Sequence, residues 1–321
     1  MLIDVKDLDV SFEHGMGVAH ALRGVDLSLA SGETHALVGE SGSGKTVTSL
    51  CIMGLLPIPP GRVNRGSISF QGQDLLTLSG SEQRKVRGKK IGMIFQEPSK
   101  YLNPAFKIGE QITETLILHY QMERKKATER ALEFLSLVGL RRTKQILKSY
   151  PHELSGGMKQ RAMIAMAICC HPPLLIADEP TTALDVTLQL QIIRLIQKLR
   201  TKFSMGVLLI THDLGVVRAV ADRISVIYAG KIVESGIKKD LFENPLHPYT
   251  KLLLLSIPDA TKRGIRLKAI PGTVPDAENI PLGCSFHTRC PLVEDVCRHD
   301  IPPTVDYGEG HWAACYLVGM K

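Results

Sequence analysis

Hydrophobic and polar positions alternate along the start of the chain. Leu8, Val10 and Phe12 are followed by Val25, Leu27 and Leu29, and this period of two predicts strands. Short continuous apolar runs follow at 35–38, 91–95, 174–177, 207–210 and 224–228, each of strand length. Helical spacing fills longer stretches between them, notably 45–53, 158–170 and 188–202. Strands alternating with helices of this length predict an α/β domain on a parallel sheet. The alternation breaks over 110–149, where two helices (about 110–120 and 124–138) succeed each other with no strand between. They predict a helical insertion, with its flanks about 105–165. Past residue 257 the texture changes: Pro258, Pro271, Pro275, Pro281, Pro291, Pro302 and Pro303 punctuate it, and it carries four of the seven cysteines. Such a segment cannot hold long helices and needs another source of order. The chain therefore divides into a core domain, 1–257, and an extension, 258–321.

Composition adds limits. Across 321 residues, 44% hydrophobic and 22% charged positions exclude wholesale disorder and allow one large domain plus an extension. No apolar run reaches the roughly 18 residues needed to span a bilayer. The N-terminus mixes charged and apolar residues unlike a secretory leader, so a cytoplasmic setting is expected. Thiols stay reduced there, as ligands or buried groups; Cys51, Cys169 and Cys170 sit in apolar helical patterns and read as core. The net charge of +7 admits nucleic acid, a membrane surface or an anionic ligand and selects none. Basic clusters at 84–90, 124–126 and 141–148 read as solvated faces. Aromatics, at 5%, do not interleave with them, which argues against a base-stacking surface.

The strongest chemical signal is Gly39-Glu40-Ser41-Gly42-Ser43-Gly44-Lys45-Thr46, between a predicted strand and a predicted helix. Backbone N–H groups of such a loop wrap phosphates, and the helix adds its positive N-terminal end. Lys45 would reach the β- and γ-phosphates, and the Thr46 hydroxyl would ligate Mg²⁺. The second signal is Asp178-Glu179 at the end of the run 174–177, at the strand edge where ligands of α/β sheets bind. One carboxylate can hold the metal's hydration shell while the next orients and deprotonates a water for attack on the γ-phosphorus. The third is Leu154-Ser155-Gly156-Gly157-Met158, a second anion cradle opening a helix. One nucleotide does not need two such cradles from one chain, whereas a head-to-tail dimer would use both.

Taken in order, the phosphate loop, Gln96, the Ser155–Gly157 turn, Asp178-Glu179, Asp185 and His212 closely resemble the ATP-binding subunit of an ABC transporter, over roughly residues 1–258. The resemblance implies a P-loop ABC ATPase core with a parallel sheet, an N-terminal antiparallel β subdomain, a helical insertion and a proline- and cysteine-rich C-terminal extension. It implies ATP and Mg²⁺ bound by residues 39–46, with Gln96 and His212 also at the nucleotide. Phe12 would stack on adenine, although a Phe at a strand end is as often core. Gln96 would sense Mg²⁺ and the attacking water, Glu179 would be the general base, and His212 would hold the γ-phosphate. Thr46, Gln96 and, through water, Asp178 would hold Mg²⁺. Ser155, Gly156, Gly157 and Met158 would face the opposite subunit's ATP. Asp185 would lie in the loop linking the two sites, or serve only as a helix cap. The implied partners are two polytopic membrane permease subunits, a second ATP-binding subunit and, indirectly, a solute-binding protein, at the cytoplasmic face of the inner membrane.

Met158 departs from the glutamine common at the end of that signature, with the Ser-Gly-Gly cradle intact. Together with Glu97-Pro98, Leu102-Asn103-Pro104 and Asn244-Pro245-Leu246-His247-Pro248-Tyr249-Thr250, it is similar to oligopeptide and dipeptide importer ATPases. An importer of another small solute, such as a nickel chelate, stays open, as does a soluble ABC ATPase acting on nucleic acid or ribosomes. The single phosphate loop tells against the latter. In the extension, Cys284, Cys290, Cys297 and Cys315 lack the close pairs of a zinc ribbon. Four thiolates suffice for a 4Fe–4S cluster; zinc and unligated thiols are the alternatives. The string 283–291 also resembles the peptide importers' C-terminal extension, which can carry such a cluster.

Overall fold

The computed structural model describes residues 1–15, 17–182, 184–256 and 270–318. The 257/258 boundary, with Ile257 and Pro258, lies outside them. The chain runs β1 (Ile3–His14), β2 (Gly17–Leu29), β3 (Thr34–Val38), α1 (Lys45–Met53), β4 (Gly61–Phe70), β5 (Gln73–Asp74), α2 (Gly80–Val86) and β6 (Ile91–Ile94). Five helices follow, α3 (Pro98–Tyr101), α4 (Ile108–Tyr120), α5 (Arg124–Leu137), α6 (Thr143–Lys148) and α7 (Gly156–Ile168). Next come β7 (Leu174–Asp178), α8 (Val186–Phe203), β8 (Gly206–Thr211), α9 (Leu214–Val220), β9 (Arg223–Tyr228), β10 (Lys231–Ile237), α10 (Lys238–Glu243) and α11 (Pro248–Leu255). The extension adds α12 (Val296–His299), β11 (Thr304–Asp306) and β12 (Trp312–Ala314).

Two sheets form. The smaller, in the order β2-β1-β4-β5, is antiparallel. The larger has the order β11-β12-β10-β9-β3-β8-β7-β6. Its five strands from β9 to β6 are parallel, and β10, β12 and β11 close one edge antiparallel. Successive side chains of a strand point to opposite faces. On β7, Leu174 and Ile176 join the core shared with the small sheet and α1, while Leu175 and Ala177 join the core under the helical insertion. Burial on both faces is why these strands read as unbroken apolar runs rather than alternating ones.

The insertion forms as expected and gains a short third helix, α6. Ile108, Ile112 and Leu116 of α4 meet Ala127, Ala131 and Phe134 of α5 in one buried cluster. In the extension, strand pairing and packing supply the order that proline denies to helices. Ala313 of β12 pairs with Glu234 of β10, so the main sheet continues into the extension. Glu234 is fully buried. Its carboxylate accepts the N–H groups of Leu246 and His247 at 2.8 and 2.9 Å and hydrogen-bonds His311 Nε2 at 2.9 Å. Among the described residues, no helix is long and apolar enough to cross a membrane.

Candidate nucleotide site

Strand pairing brings the candidate residues to one edge. Val38 at the end of β3 lies opposite Thr211 of β8, Ile210 opposite Asp178 of β7, and Ala177 opposite Ile94 of β6. The phosphate loop, Asp178-Glu179, Gln96 and His212 therefore all leave the carboxyl ends of adjacent parallel strands, where open α/β sheets bind ligands.

The loop closes tightly on its surroundings. Gly44 holds φ at 106°, a conformation that disfavours side chains. A Cβ there would stand 2.7 Å from Leu22 Cδ2, and one on Gly39 would stand 2.3 Å from the Ile227 carbonyl oxygen. Gly44 also caps α1 without any side-chain hydrogen bond, leaving the first N–H groups of that helix free for an anion. Lys45 folds back over the loop, donating to the carbonyls of Gly39 and Glu40 at 2.8 Å each. Burial lowers the Lys45 ammonium below its ordinary value, against the pull of Glu179, Asp178 and Glu40. The Ser43 hydroxyl, inside the loop, is buried and has no hydrogen-bond partner among the described residues.

The two carboxylates sit in contrasting surroundings. Asp178 is buried at the end of β7 and accepts from the Thr46 hydroxyl at 3.4 Å. Burial pushes its carboxyl up to about 6, although the Thr46 hydrogen bond opposes this. These two converging oxygen donors are of the hard type that Mg²⁺ selects. Glu179 has a left-handed backbone, φ 44°. One of its oxygens accepts from Gln96 Nε2 at 2.8 Å and from the Thr182 hydroxyl at 2.9 Å, and the other lies 3.1 Å from His212 Nδ1. Burial pushes this carboxyl up, but hydrogen bonds from His212 and Thr182 and the charges of His212 and Lys45 outweigh it. The net shift is downward.

The remaining expected residues lie elsewhere. Ser155 caps α7, its hydroxyl accepting the Met158 N–H at 3.4 Å, with exposed Gly156 and half-buried Gly157 behind it. Among the described residues no hydrogen bond joins this turn to the phosphate loop. Asp185 caps α8 by accepting the Leu188 N–H at 2.9 Å. Phe12 is partly buried against the core between the sheets, paired with Ala19 and Gly61. Thr182, Tyr249 and Arg289 were not expected near the site. Thr182 sits three residues past Glu179 with no motif of its own, and the other two reach the loop only through long-range folding.

Cys284, Cys290, Cys297 and Cys315 line one small cavity with His247 and Phe286. All four are free thiols. Yet among the described residues no group of three or more His, Cys, Asp or Glu side chains could hold a metal ion, so the metal-cluster expectation is not borne out. The segment also closes on its own backbone, with the Cys284 N–H donating to Cys297 O at 2.9 Å. Burial favours the protonated thiol, pushing Cys284 up to about 11 and Cys290 and Cys315 upward as well. Cys51, Cys169 and Cys170 are buried in the core, as expected.

A parallel sheet that delivers a glycine phosphate loop, an Asp-Glu pair, a glutamine and a histidine to one edge, beside a small antiparallel sheet and a helical insertion, defines an ABC-type ATPase cassette. Residues 22–182 match the family described as ABC transporter, and 233–297 match the oligopeptide/dipeptide transporter C-terminal region. The chain is 50% identical over 316 residues to the oligopeptide transport ATP-binding protein AppD of Bacillus subtilis, covering 98% of this chain and 96% of that one. It is 49% identical over 320 residues to the dipeptide transport ATP-binding protein DppD of the same organism, covering 100% and 96%. Among solved structures it is similar to the dimeric ATP-binding cassette MJ0796 bound to ADP and Pi, with 30% identity and a TM-score of 0.66 over 74% of this chain and 98% of that one. The chain belongs to the ABC transporter ATPase family, in the branch of the oligopeptide and dipeptide transport ATP-binding proteins.

Proposed function

We propose that this chain is the ATP-hydrolysing subunit that energises peptide import through a membrane ABC transporter. The observation that carries the reading is the convergence of Gln96, Thr182 and His212 on Glu179, at the strand edge that also bears the phosphate loop. The free N–H groups of the loop and Lys45 bind the phosphates, and Phe12 supports the adenine. Thr46, Gln96 and, through water, Asp178 would hold Mg²⁺, which when bound would supply neutralisation of the phosphate charge. Glu179 takes a proton from water as the water oxygen bonds to the γ-phosphorus and the bond to the ADP oxygen breaks. His212 steadies both the carboxylate and the γ-phosphate. The exposed turn Ser155–Met158 closes on the ATP of a second ATP-binding subunit, and Asp185 lies between the two sites.

Two polytopic permease subunits complete the transporter at the cytoplasmic face of the membrane, supplied by a solute-binding protein. Residues 1–257 form the ATPase domain and 258–321 the extension. Four thiols suffice in number for a 4Fe–4S cluster there, with zinc as the alternative, although the side chains described are not placed to hold either. Iron and sulfide assays on anaerobically purified chain should find about four of each per chain; metal-free protein with the same fold sinks that part. For the catalytic part, Glu179→Gln should bind ATP yet hydrolyse it at least about tenfold more slowly, roughly 1.4 kcal/mol in barrier. Turnover near the wild-type rate removes Glu179 as the base.

A further inference from the structure

Glu40, the second residue of the phosphate loop, has each of its polar groups held by a different part of the chain. Its N–H donates to the Tyr249 hydroxyl at 3.1 Å, and its carbonyl accepts from Lys45 Nζ at 2.8 Å. Its carboxylate takes both arms of the Arg289 guanidinium, at 3.0 Å each. Arg289 belongs to the extension, 249 residues away along the chain, and its side chain is only 4% exposed. Its Nε donates to the Pro271 carbonyl at 2.8 Å, and one arm also reaches the Tyr228 hydroxyl at 3.4 Å. A guanidinium with its arms so engaged is fixed in plane and position, and a two-armed bond to a carboxylate sets orientation as well as charge. The geometry has a chemical reason. A carboxylate in a loop that gathers phosphates repels them unless it is neutralised, and Arg289 neutralises this one.

We propose that Arg289 is a positioning residue for nucleotide binding: acting through Glu40, the extension sets the shape and charge of the phosphate loop, and ATP affinity depends on it. The proposal rests on the reading of 39–46 as the ATP site. It gives the extension a part in the ATPase cycle beyond completing the sheet.

The test measures the affinity of the purified full chain for a fluorescent ATP analogue with Mg²⁺, alongside melting temperature. Arg289→Ala should weaken binding on the order of tenfold. The double variant Arg289→Ala/Glu40→Ala should regain much of that loss, because the stranded carboxylate is gone. Absence of any recovery makes Arg289 merely structural and overturns the proposal. Should Arg289→Ala not fold, Arg289→Lys keeps the charge, and its affinity should still fall about threefold because an ammonium lacks the guanidinium fork. Unchanged affinity in a folded Arg289 variant overturns the proposal. Lys45→Ala separates the two ways to fail. Lost binding there beside unchanged binding in Arg289→Ala sinks the proposal alone, whereas full binding in Lys45→Ala removes the phosphate-loop reading and the proposal with it.

Discussion

Glu179 is held with φ at 44°, a backbone state that costs a non-glycine residue about 1–2 kcal/mol. The surroundings over-determine it: its N–H donates to Ile210 O at 2.8 Å while three side chains grip its carboxylate. Asp178, one residue earlier, is governed by burial instead, and this makes a pH prediction. An acid raised to about 6 is ionised above that value and protonated below it, and only the ionised form holds Mg²⁺. The Mg²⁺ needed for half-maximal nucleotide binding should therefore rise several-fold as pH falls through about 6. Asp178→Asn should weaken Mg²⁺ binding above about pH 6, match the wild type below it, and so remove the step. A requirement that stays flat through that range in the wild type counts against Asp178 as the Mg²⁺ holder. Sequence made both carboxylates legible, because a strand end dictates where its next residue sits. Thr182 had no such signal, and the fork between Arg289 and Glu40 joins residues too distant for any local pattern to foretell.

Among the elements, the parallel strands were legible because burial on both faces writes an apolar run. β4 was not: Arg62, Asn64, Arg65 and Gly66 are exposed, so little of its first half is apolar. β11 and β12 were hidden for a related reason, being three residues each and exposed along all of β11. What ties the extension to the domain is Phe286, 1% exposed. Its ring lies 5.2 Å from those of both Tyr228 and Tyr249, and 5.8 Å from that of His247. Phe286→Ala should cost about 3–5 kcal/mol in chemical denaturation by leaving a cavity in that cluster. Limited proteolysis should then release the extension first. A loss under about 1 kcal/mol means that the extension is anchored elsewhere, through Arg289 and the pairing of β12.

Across the whole molecule, no hydrogen bond among the described residues links the glycine loop 39–46 to the Ser155–Met158 turn. Gly44 caps α1 without a side-chain hydrogen bond, and Ser155 and Gly156 are exposed. Among the described residues the chain also has no helix able to cross a membrane. Membership of the peptide-transport branch of the ABC family implies membrane permease partners and a dimeric ATPase, and the relatives at about half identity are named for peptide transport. If this chain is the peptide-import ATPase, its hydrolysis of ATP moves peptides across a membrane. The most direct measurement is a pull-down of tagged Glu179→Gln protein from detergent-solubilised native membranes with ATP and Mg²⁺, followed by identification of the bound chains and assay of their peptide uptake in liposomes. Two polytopic membrane chains and an ATP-binding subunit should be recovered, with uptake that needs ATP and wild-type Glu179. Recovery of ribosomes or nucleic acid with no membrane chain would contradict this and leave only the ATPase chemistry standing.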